Sequence, residues 1–127
     1  MSYTEPPKNE IPEGGYDSPK NKGKLITVAE AKDKVKRYKG KYPTAKKAHF
    51  FGDSVLKEFL ELPRCVGIRV YPVLNKDGSQ TVLLVGVDSE GNNLFFEELV
   101  GKNDQDSYVY ESTVPCPKFC PNPPSDL

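Results

Sequence analysis

The sequence has few of the residues on which enzymes most often rely. It contains no tryptophan, one methionine and a single histidine, His49, in 127 residues. A serine–histidine–aspartate triad would have to use His49, and no nucleophile motif surrounds that residue. The glycine loops GxxxxGK(S/T) and GxGxxG, which cradle phosphates, are missing. We therefore predict a protein that is not an enzyme and has no cofactor, unless His49 or Arg69 lies in a pocket that the sequence does not reveal.

Long apolar runs are also missing. Hydrophobic residues make up 36% of the chain, and the mean hydropathy is −0.60. No stretch approaches the roughly 18–20 apolar residues that a membrane-spanning helix requires. The N-terminal letters MSYTEPPKNE lack the basic and then apolar pattern of a signal peptide. These absences predict a cytoplasmic protein without a membrane span.

The chain contains three cysteines, an odd number. In a protein without an export signal, we expect cysteines to be reduced thiols. Cys65 begins an apolar run and is predicted to be a small core residue. Cys116 and Cys120 lie in the letters CPKFCP. They could be inert thiols, close a disulfide loop worth roughly 2 kcal/mol, or supply half of a zinc site with His49 and Cys65. We treat Cys116 and Cys120 as a candidate disulfide and predict no metal site, with a cysteine-based redox or metal-sensing element at the C-terminus as an alternative function.

Charge is balanced overall but unevenly distributed along the chain. The first 48 residues contain 12 lysines and arginines against 6 acidic residues, and the remainder contains 6 against 12. The basic half could form an anion-binding surface. Alternatively, the basic and acidic halves could attract each other within one molecule, or two molecules could associate head to tail. Lys32, Lys36 and Lys39 are the candidate anion-binding residues. Nucleic acid is the less favoured partner, because zinc-finger spacing, a GxxG loop and an RNP-like aromatic stretch are all absent.

Composition divides the chain into one domain and two tails. Residues 1–24 have too few apolar groups to offset the entropy of ordering, so they are predicted to form a disordered or extended tail. Residues 115–127 contain five prolines and are predicted to form a second, extended tail. Residues 25–114 remain for a single small domain.

Two helices are predicted before the β region. Thr27 can cap the first helix, Glu30 completes a capping box, and Gly40 is expected to end the helix. Its apolar stripe consists of Val28, Ala31, Val35 and Tyr38. Asp53 is the expected cap of a second helix of about nine residues, which ends at Pro63. Its apolar face consists of Val55, Leu56, Phe59, Leu60 and Leu62.

A β-hairpin is the clearest signal in the sequence. Residues 65–75 and 80–88 are rich in β-branched and apolar residues. Asp77-Gly78 between them is typical of a two-residue type I′ turn, in which both central residues have positive φ. That turn places Leu74 opposite Thr81, and the rest of the register follows.

Pro72 lacks an amide hydrogen, which predicts that the first strand of the hairpin lies at a sheet edge or contains a bulge. The turn at 89–92 is expected to reverse the chain into a third strand at 94–97, although a short helix over 94–100 is the alternative. A final strand is expected at 108–114. The predicted fold class is α+β, with two N-terminal helices packed on one face of an antiparallel meander of three to four strands.

The second face of this hairpin is the predicted contact surface. The predicted register places five residues on the face that the helices leave uncovered: Arg69, Tyr71, Val73, Val82 and Leu84. Monomers rarely leave such bulky apolar groups in water, so the terminal segments, a second copy or another protein should cover them. Arg69 is expected to pair with a carboxylate on the covering element. The sequence thus predicts a non-enzymatic protein-interaction module that binds itself, as a homodimer, or a protein partner.

Several short motifs together resemble one group of proteins. They are CVGIRVY at 65–71, the Asp77-Gly78 turn, TVLLVGVD at 81–88 with Glu90-Gly91-Asn92 after it, Phe51-Gly52 ahead of a short helix, and Cys116-Pro117 with Cys120. Over residues 27–120 this pattern is similar to small uncharacterised proteins of Bacteroidota. The resemblance implies a bacterial cytosolic protein and transfers no activity, cofactor or catalytic residue to this chain.

Overall fold

The computed structural model describes residues 18–97, 107–116, 120 and 127. Within them the chain is α+β, as predicted, with two α-helices and antiparallel strands. A 3₁₀ turn spans Pro19–Asn21, helix α1 spans Val28–Lys41, and helix α2 spans Asp53–Glu61. The strands are β1 Ala48–Phe50, β2 Gly67–Leu74, β3 Gln80–Val87, β4 Asn93–Leu94, β5 Phe96–Glu97, β6 Ser107–Tyr108, β7 Tyr110–Glu111 and β8 Val114–Cys116. Residues 1–17 of the predicted N-terminal tail lie outside the described residues.

Helix α1 begins where the sequence predicts and ends slightly later. The side chain of Thr27 accepts a hydrogen bond from the amide of Glu30 at 3.1 Å, so the predicted cap is confirmed. The helix continues through Gly40 to Lys41, and the predicted end at Gly40 is wrong. Proline disfavours the helical conformation of the residue before it, and Tyr42 precedes Pro43 with φ −128° and ψ 69°. Pro43 therefore ends the helix.

Helix α2 is capped differently from the prediction. Gly52 occupies the cap position without a side-chain hydrogen bond, and Asp53 is the first helical residue, so Asp53 is not the cap. A carboxylate in the first turn still stabilises the positive end of the helix dipole. Phe59 is the buried residue of α2, whereas Leu56 and Leu60 of the predicted apolar face are exposed.

The β2–β3 hairpin closes through a three-residue loop. The amide of Gly78 donates to the carbonyl of Asn75 at 3.0 Å, and the amide of Asn75 donates to the carbonyl of Ser79 at 2.9 Å. Gly78 has a φ of +85°, whereas Asp77 is not among the described residues with positive φ. This is a type I turn followed by a left-handed glycine. The predicted type I′ turn is wrong, because it requires positive φ at Asp77 as well.

The loop shifts the hairpin by one residue from the predicted register. Val70 lies opposite Leu84, and Tyr71 lies opposite Leu83. The prediction had paired Tyr71 with Leu84. Because side chains alternate between the two faces of a sheet, a slip of one residue moves every side chain of one strand to the other face.

The five residues predicted to form one contact surface are consequently divided between two faces. Arg69, Tyr71 and Val73 share one face of the sheet, and Val82 and Leu84 lie on the other. Leu84 is only 7% exposed and lies on the face against which α2 packs. The predicted contact surface is therefore wrong as a single patch, because the conformation of the loop sets the register.

Strand β3 is the centre of the largest sheet in the described part of the chain. It pairs with β2 along one edge and with β4 and β7 along the other. The predicted reversal at 89–92 is confirmed. The predicted third strand is divided into β4 and β5, with the exposed Phe95 between them. β5 pairs with β6, and β1 pairs with β8, so small additional sheets replace the predicted single meander.

The core lies between α2 and the central strand. Phe59 is almost fully buried, and its ring centroid lies 5.1 Å from that of Phe96 and 5.8 Å from that of Tyr110. Gly86 on β3 allows this close approach, since a Cβ there would lie 3.0 Å from Cδ2 of Leu62. Helix α1 contains no buried residue. The prediction that both helices pack on one face of the sheet stays a prediction.

The C-terminal strand β8 is held by backbone pairing and by a disulfide. It pairs with β1, and the amide of Lys47 donates to the carbonyl of Cys116 at 3.0 Å. Cys116 and Cys120 are bonded to each other, with Cα atoms 5.0 Å apart, so the disulfide is the alternative that the structure contains. The predicted boundary of the C-terminal tail at residue 115 falls inside β8. Cys65 is a half-buried free thiol that donates to the carbonyl of Gly67 at 3.2 Å.

Candidate functional site

Arg69, the centre of the predicted contact surface, is already engaged within the chain. Its Nη1 donates to Oδ1 of Asn93 at 2.7 Å, and its Nη2 donates to the carbonyl of Gly91 at 3.2 Å. Nδ2 of Asn93 in turn donates to the hydroxyl of Tyr71 at 3.0 Å. The hydrogen bonds from Asn93 and Arg69 lower the pKa of Tyr71. The expected carboxylate partner of Arg69 is thus replaced by an amide and a backbone carbonyl.

This polar network has a structural role. Arg69 belongs to β2 and Asn93 to β4, so the link between them passes over β3, which lies in between. Val85 lies opposite Arg69 on this face and is only 4% exposed. The Arg69 network therefore spans the face on which the buried Val85 lies. We infer that this face is closed locally, which removes the reason for placing a partner over it.

The outer edge of β2 has no neighbouring strand in the described part of the chain. β2 is the terminal strand in the order β2–β3–β4 of the described residues. The amide of Asn75 donates across the hairpin, and backbone groups alternate in direction along an antiparallel strand. The outward positions are therefore Ile68, Val70, Pro72 and Leu74. The prediction that Pro72 lies on an edge strand is confirmed, and its missing donor costs the hairpin no hydrogen bond.

An exposed apolar row follows the same edge. Ile68 is 40% exposed, Val70 57% and Leu74 69%, and all three lie on the face against which α2 packs. Leu60 on α2 is 85% exposed. We call these four side chains and the outward backbone groups of β2 the β2 edge surface. Contiguous apolar groups next to unpaired backbone groups are typical of binding edges, since isolated proteins usually protect such strands.

A cavity adjoins the start of the β2 edge surface. It has a volume of about 420 Å³, and its walls include Phe59, Leu60 and Ile68 together with Lys20 from the 3₁₀ turn. Its lining is mostly apolar, with one cation. The cavity could accept one side chain of a segment lying along β2.

The candidate anion-binding lysines lie along α1. Lys32, Lys36 and Lys39 are separated by four and three positions, which places them on one side of the helix. Lys32 and Lys36 are exposed, and Lys39 is half-buried. The structure therefore brings the three residues to one surface, and their role as an anion site stays a prediction.

His49 lies in β1 and lines a separate cleft with Lys46 and Lys47. Burial, followed by the nearby charge of Lys46, lowers the pKa of His49 from 6.5. Both effects favour the neutral form of the ring. The described residues contain no cluster of three or more potential metal ligands. The sulfurs of Cys116 and Cys120, two of the ligands considered for zinc, are bonded to each other in the disulfide.

The β2 edge surface was missed because the loop was misassigned, although the sequence contained the signal. Asn75 and Gly78 are the first and fourth residues of the observed turn, and asparagine and glycine are favoured at these two positions of a type I turn. With that turn the register shifts by one residue. Leu84 then joins the α2 side, and the exposed row on β2 remains.

Comparison with protein-family models, curated proteins and solved structures finds no match for this chain. The resemblance to small Bacteroidota proteins therefore stays a prediction. In the described ranges, neither helix combines the length and the apolar content needed to cross a bilayer.

Proposed function

We propose that this protein is a non-enzymatic interaction module that binds an extended segment of a partner protein along the β2 edge surface. The observation that carries the proposal is the outer side of β2, where outward backbone groups adjoin the exposed side chains of Ile68, Val70 and Leu74. A segment that adds to such an edge gains main-chain hydrogen bonds, and side-chain pockets then provide specificity.

The positions of the outward donors define the segment that fits. The amides of Ile68 and Val70 form one pair of donors, and Pro72 interrupts the series before Leu74. An added strand therefore pairs best with the first half of β2. Proline at this point also makes continuous edge-to-edge stacking unfavourable, which natural proteins use against aggregation.

The cavity beside Leu60 and Ile68 supports a preference for particular side chains. Its apolar walls suit an aliphatic or aromatic residue of the partner, and Lys20 at its rim suits a neighbouring carboxylate. The preferred segment is therefore extended, apolar at one position and acidic beside it. A second copy of this chain is the alternative occupant, and its binding would give a homodimer.

The test starts from peptides selected for binding to the immobilised full chain from a random library. Each selected peptide is titrated into ¹⁵N-labelled protein. We expect chemical-shift changes centred on the amides of Ile68 and Val70. Val70→Lys should weaken binding by about tenfold or more, because it places an uncompensated charge in the contact. Leu25→Lys is the matched control, since Leu25 is similarly exposed at 58% and lies outside the β2 edge surface.

Two results would overturn the proposal. One is a set of selected peptides whose binding leaves the amides of β2 unshifted. The other is equal affinity of the wild type and Val70→Lys. Sedimentation of the free chain then separates the alternatives, because concentration-dependent dimerisation that Val70→Lys abolishes would identify a second copy as the occupant.

Anion or nucleic-acid binding by α1 is the second candidate. It is favoured by the position of Lys32, Lys36 and Lys39 on one side of a helix that has no buried residue. We expect salt-dependent retention on heparin that is lost when these three lysines are replaced by glutamine. Retention unchanged by the three substitutions would exclude it.

The cysteine pair is the basis of a third, redox candidate. Disulfides are rare in proteins kept in a reducing compartment. If the chain acts in the cytoplasm, as its sequence predicts, Cys116 and Cys120 would be a reducible pair. Mass spectrometry of the protein from its native source under non-reducing conditions distinguishes the bonded pair from two free thiols.

A further inference from the structure

The cleft that His49 lines lies at the loop end of the β2–β3 hairpin, and the cavity beside Leu60 lies at the other end. The cleft has a volume of about 670 Å³, within the usual range of small-molecule pockets. Tyr38 of α1, the segment from Lys46 to His49, and the ends of β2 and β3 next to their loop line it. It is distinct from the cavity beside Leu60, and of the side chains of the β2 edge surface only Leu74 is among its described lining residues.

The described residues that line the cleft carry charge of one sign. Lys46 and Lys47 line it, and its described lining contains no aspartate or glutamate. Both lysines are half-buried, so their charges are less screened by water than those on α1. The opposite wall is apolar and includes Pro72, Leu74 and Val82. A cationic side facing an apolar side is complementary to a molecule with an anionic head and an apolar body.

Backbone contacts fix the cationic side. The amide of Lys46 donates to Oε1 of Gln80 on β3 at 3.0 Å, and the amide of Lys47 donates to the carbonyl of Cys116 on β8 at 3.0 Å. His49 is held by the pairing of β1 with β8, opposite Pro115. The two lysines and the histidine are thus attached to two different strands. Such preorganisation reduces the entropy lost when a ligand binds.

The surroundings of the His49 ring indicate which of its nitrogens carries the proton. Its Nδ1 is buried and has no hydrogen-bond partner in the part of the chain that the structure describes. A proton on Nδ1 would therefore be a buried donor without an acceptor among the described residues, which is unfavourable. Because Nδ1 has no acceptor to donate to, we assign the proton of the neutral ring to Nε2. His49 can then offer one N–H to a ligand.

We propose that this cleft binds a small organic carboxylate with an apolar body. The carboxylate would lie between Lys46, Lys47 and His49, and the body would lie against Pro72 and Val82. Charge-assisted hydrogen bonds from the lysines supply most of the selectivity for the anion.

The experiment titrates ¹⁵N-labelled full-length protein with 2-naphthoate, with the uncharged 2-naphthamide, and with inorganic phosphate. The ring signal of His49, the only histidine, reports on the site without overlap. We expect saturable shifts of His49 and of the Lys46 and Lys47 amides with naphthoate. Naphthamide should bind about tenfold more weakly or worse, which corresponds to the loss of one charge-assisted hydrogen bond. Phosphate alone should not saturate, since it lacks the apolar body.

A paired variant adds a second criterion. Lys46→Gln combined with Lys47→Gln keeps the backbone contacts and should weaken naphthoate binding by about tenfold. Lys57→Gln, on the exposed part of α2, should leave it unchanged. Equal binding of naphthoate and naphthamide would overturn the proposal, as would saturation by phosphate alone. So would the absence of saturable binding up to about 1 mM naphthoate, the weak end of specific affinity.

The comparison of the two naphthyl ligands uses the unaltered chain, so it decides the question even if the paired variant does not fold. The result is also separate from peptide binding. A failed naphthoate titration leaves the peptide test at Ile68 and Val70 intact, and shifts confined to those two amides would count against the cleft.

Discussion

Two aspartates determine the turns at the ends of β3 by accepting backbone hydrogen bonds. Oδ1 of Asp77 accepts from the amide of Ser79 at 2.9 Å and from its hydroxyl at 2.6 Å. Oδ1 of Asp88 accepts from the amides of Glu90 and Asn92, each at 2.9 Å. Such side-chain hydrogen bonds explain why aspartate is favoured in turns. They favour the ionised carboxylate and so lower the pKa of both residues.

Asp88→Asn should destabilise the protein in a pH-dependent manner. The hydrogen bonds, first that from the Asn92 amide, lower the pKa of Asp88 below its usual 3.8. The stability that this provides is present above pH 3.8 and is lost as the pH falls through the lower, folded-state pKa. We therefore expect the variant to be less stable than the wild type at neutral pH and the difference to shrink in acid. Urea unfolding at a series of pH values measures it. A difference that stays constant down to strongly acidic pH would contradict the assignment.

At the scale of elements, β3 and α2 are joined through a contact that only glycine allows. A Cβ at Gly86 would lie 3.0 Å from Cδ2 of Leu62, 3.3 Å from Sγ of Cys65 and 3.5 Å from Cδ1 of Phe59. Two of these neighbours lie in or beside the buried core, so they have limited room to move. The contact explains how a nine-residue helix is held, since such a short helix is not stable without packing.

Gly86→Ala should lower the free energy of unfolding by about 1–3 kcal/mol, the usual cost of forcing extra atoms into a packed core. Gly67→Ala is the matched control in the neighbouring strand, because a Cβ at Gly67 would meet no atom within 4 Å. That control should be neutral or slightly stabilising. Urea unfolding of both variants measures the difference. Equal stabilities would show that α2 does not pack against β3 as described.

The elements also show where sequence reasoning succeeds and where it fails. Thr27 is a correct cap because capping depends on a few adjacent residues, and Pro72 correctly indicates an edge because its chemistry forbids a central position. The hairpin register failed because Asp77-Gly78 fits two turns that differ by one residue. Because β2 and β3 are both rich in apolar residues, the type I′ turn and the three-residue loop each give an apolar face. The order of apolar residues along the strands therefore could not distinguish the two turns. The pairing of β1 with β8 joins segments far apart in sequence, and neither segment has a distinctive pattern.

At the scale of the whole molecule, the C-terminal strand is linked both to β1 and to the disulfide. Cys116 is buried, and Cys120 is exposed. The bond closes a short loop after β8, and β8 in turn positions the strand that contains His49. Reduction should therefore affect the stability of this part of the protein and the cleft that His49 lines.

Reduction of the Cys116–Cys120 bond should lower the free energy of unfolding by about 2 kcal/mol, the chain-entropy value for a loop of this length. Urea unfolding with and without dithiothreitol measures the change. Cys120→Ser should match the reduced wild type and should not respond to dithiothreitol. A wild type whose stability is insensitive to the reductant would show that the bond is absent in solution or contributes nothing.

The central claim concerns the whole sheet: β2 has no strand on its outer side among the described residues, and we propose that a partner binds along this edge. Residue-resolved hydrogen exchange of the free chain tests this most directly. The amides of Ile68 and Val70 should exchange rapidly, and those of Tyr71 and Val73, which point towards β3, should be protected. A selected peptide should then slow exchange at Ile68 and Val70. Slow exchange at these two amides in the free chain, or no added protection when the peptide binds, would contradict the account.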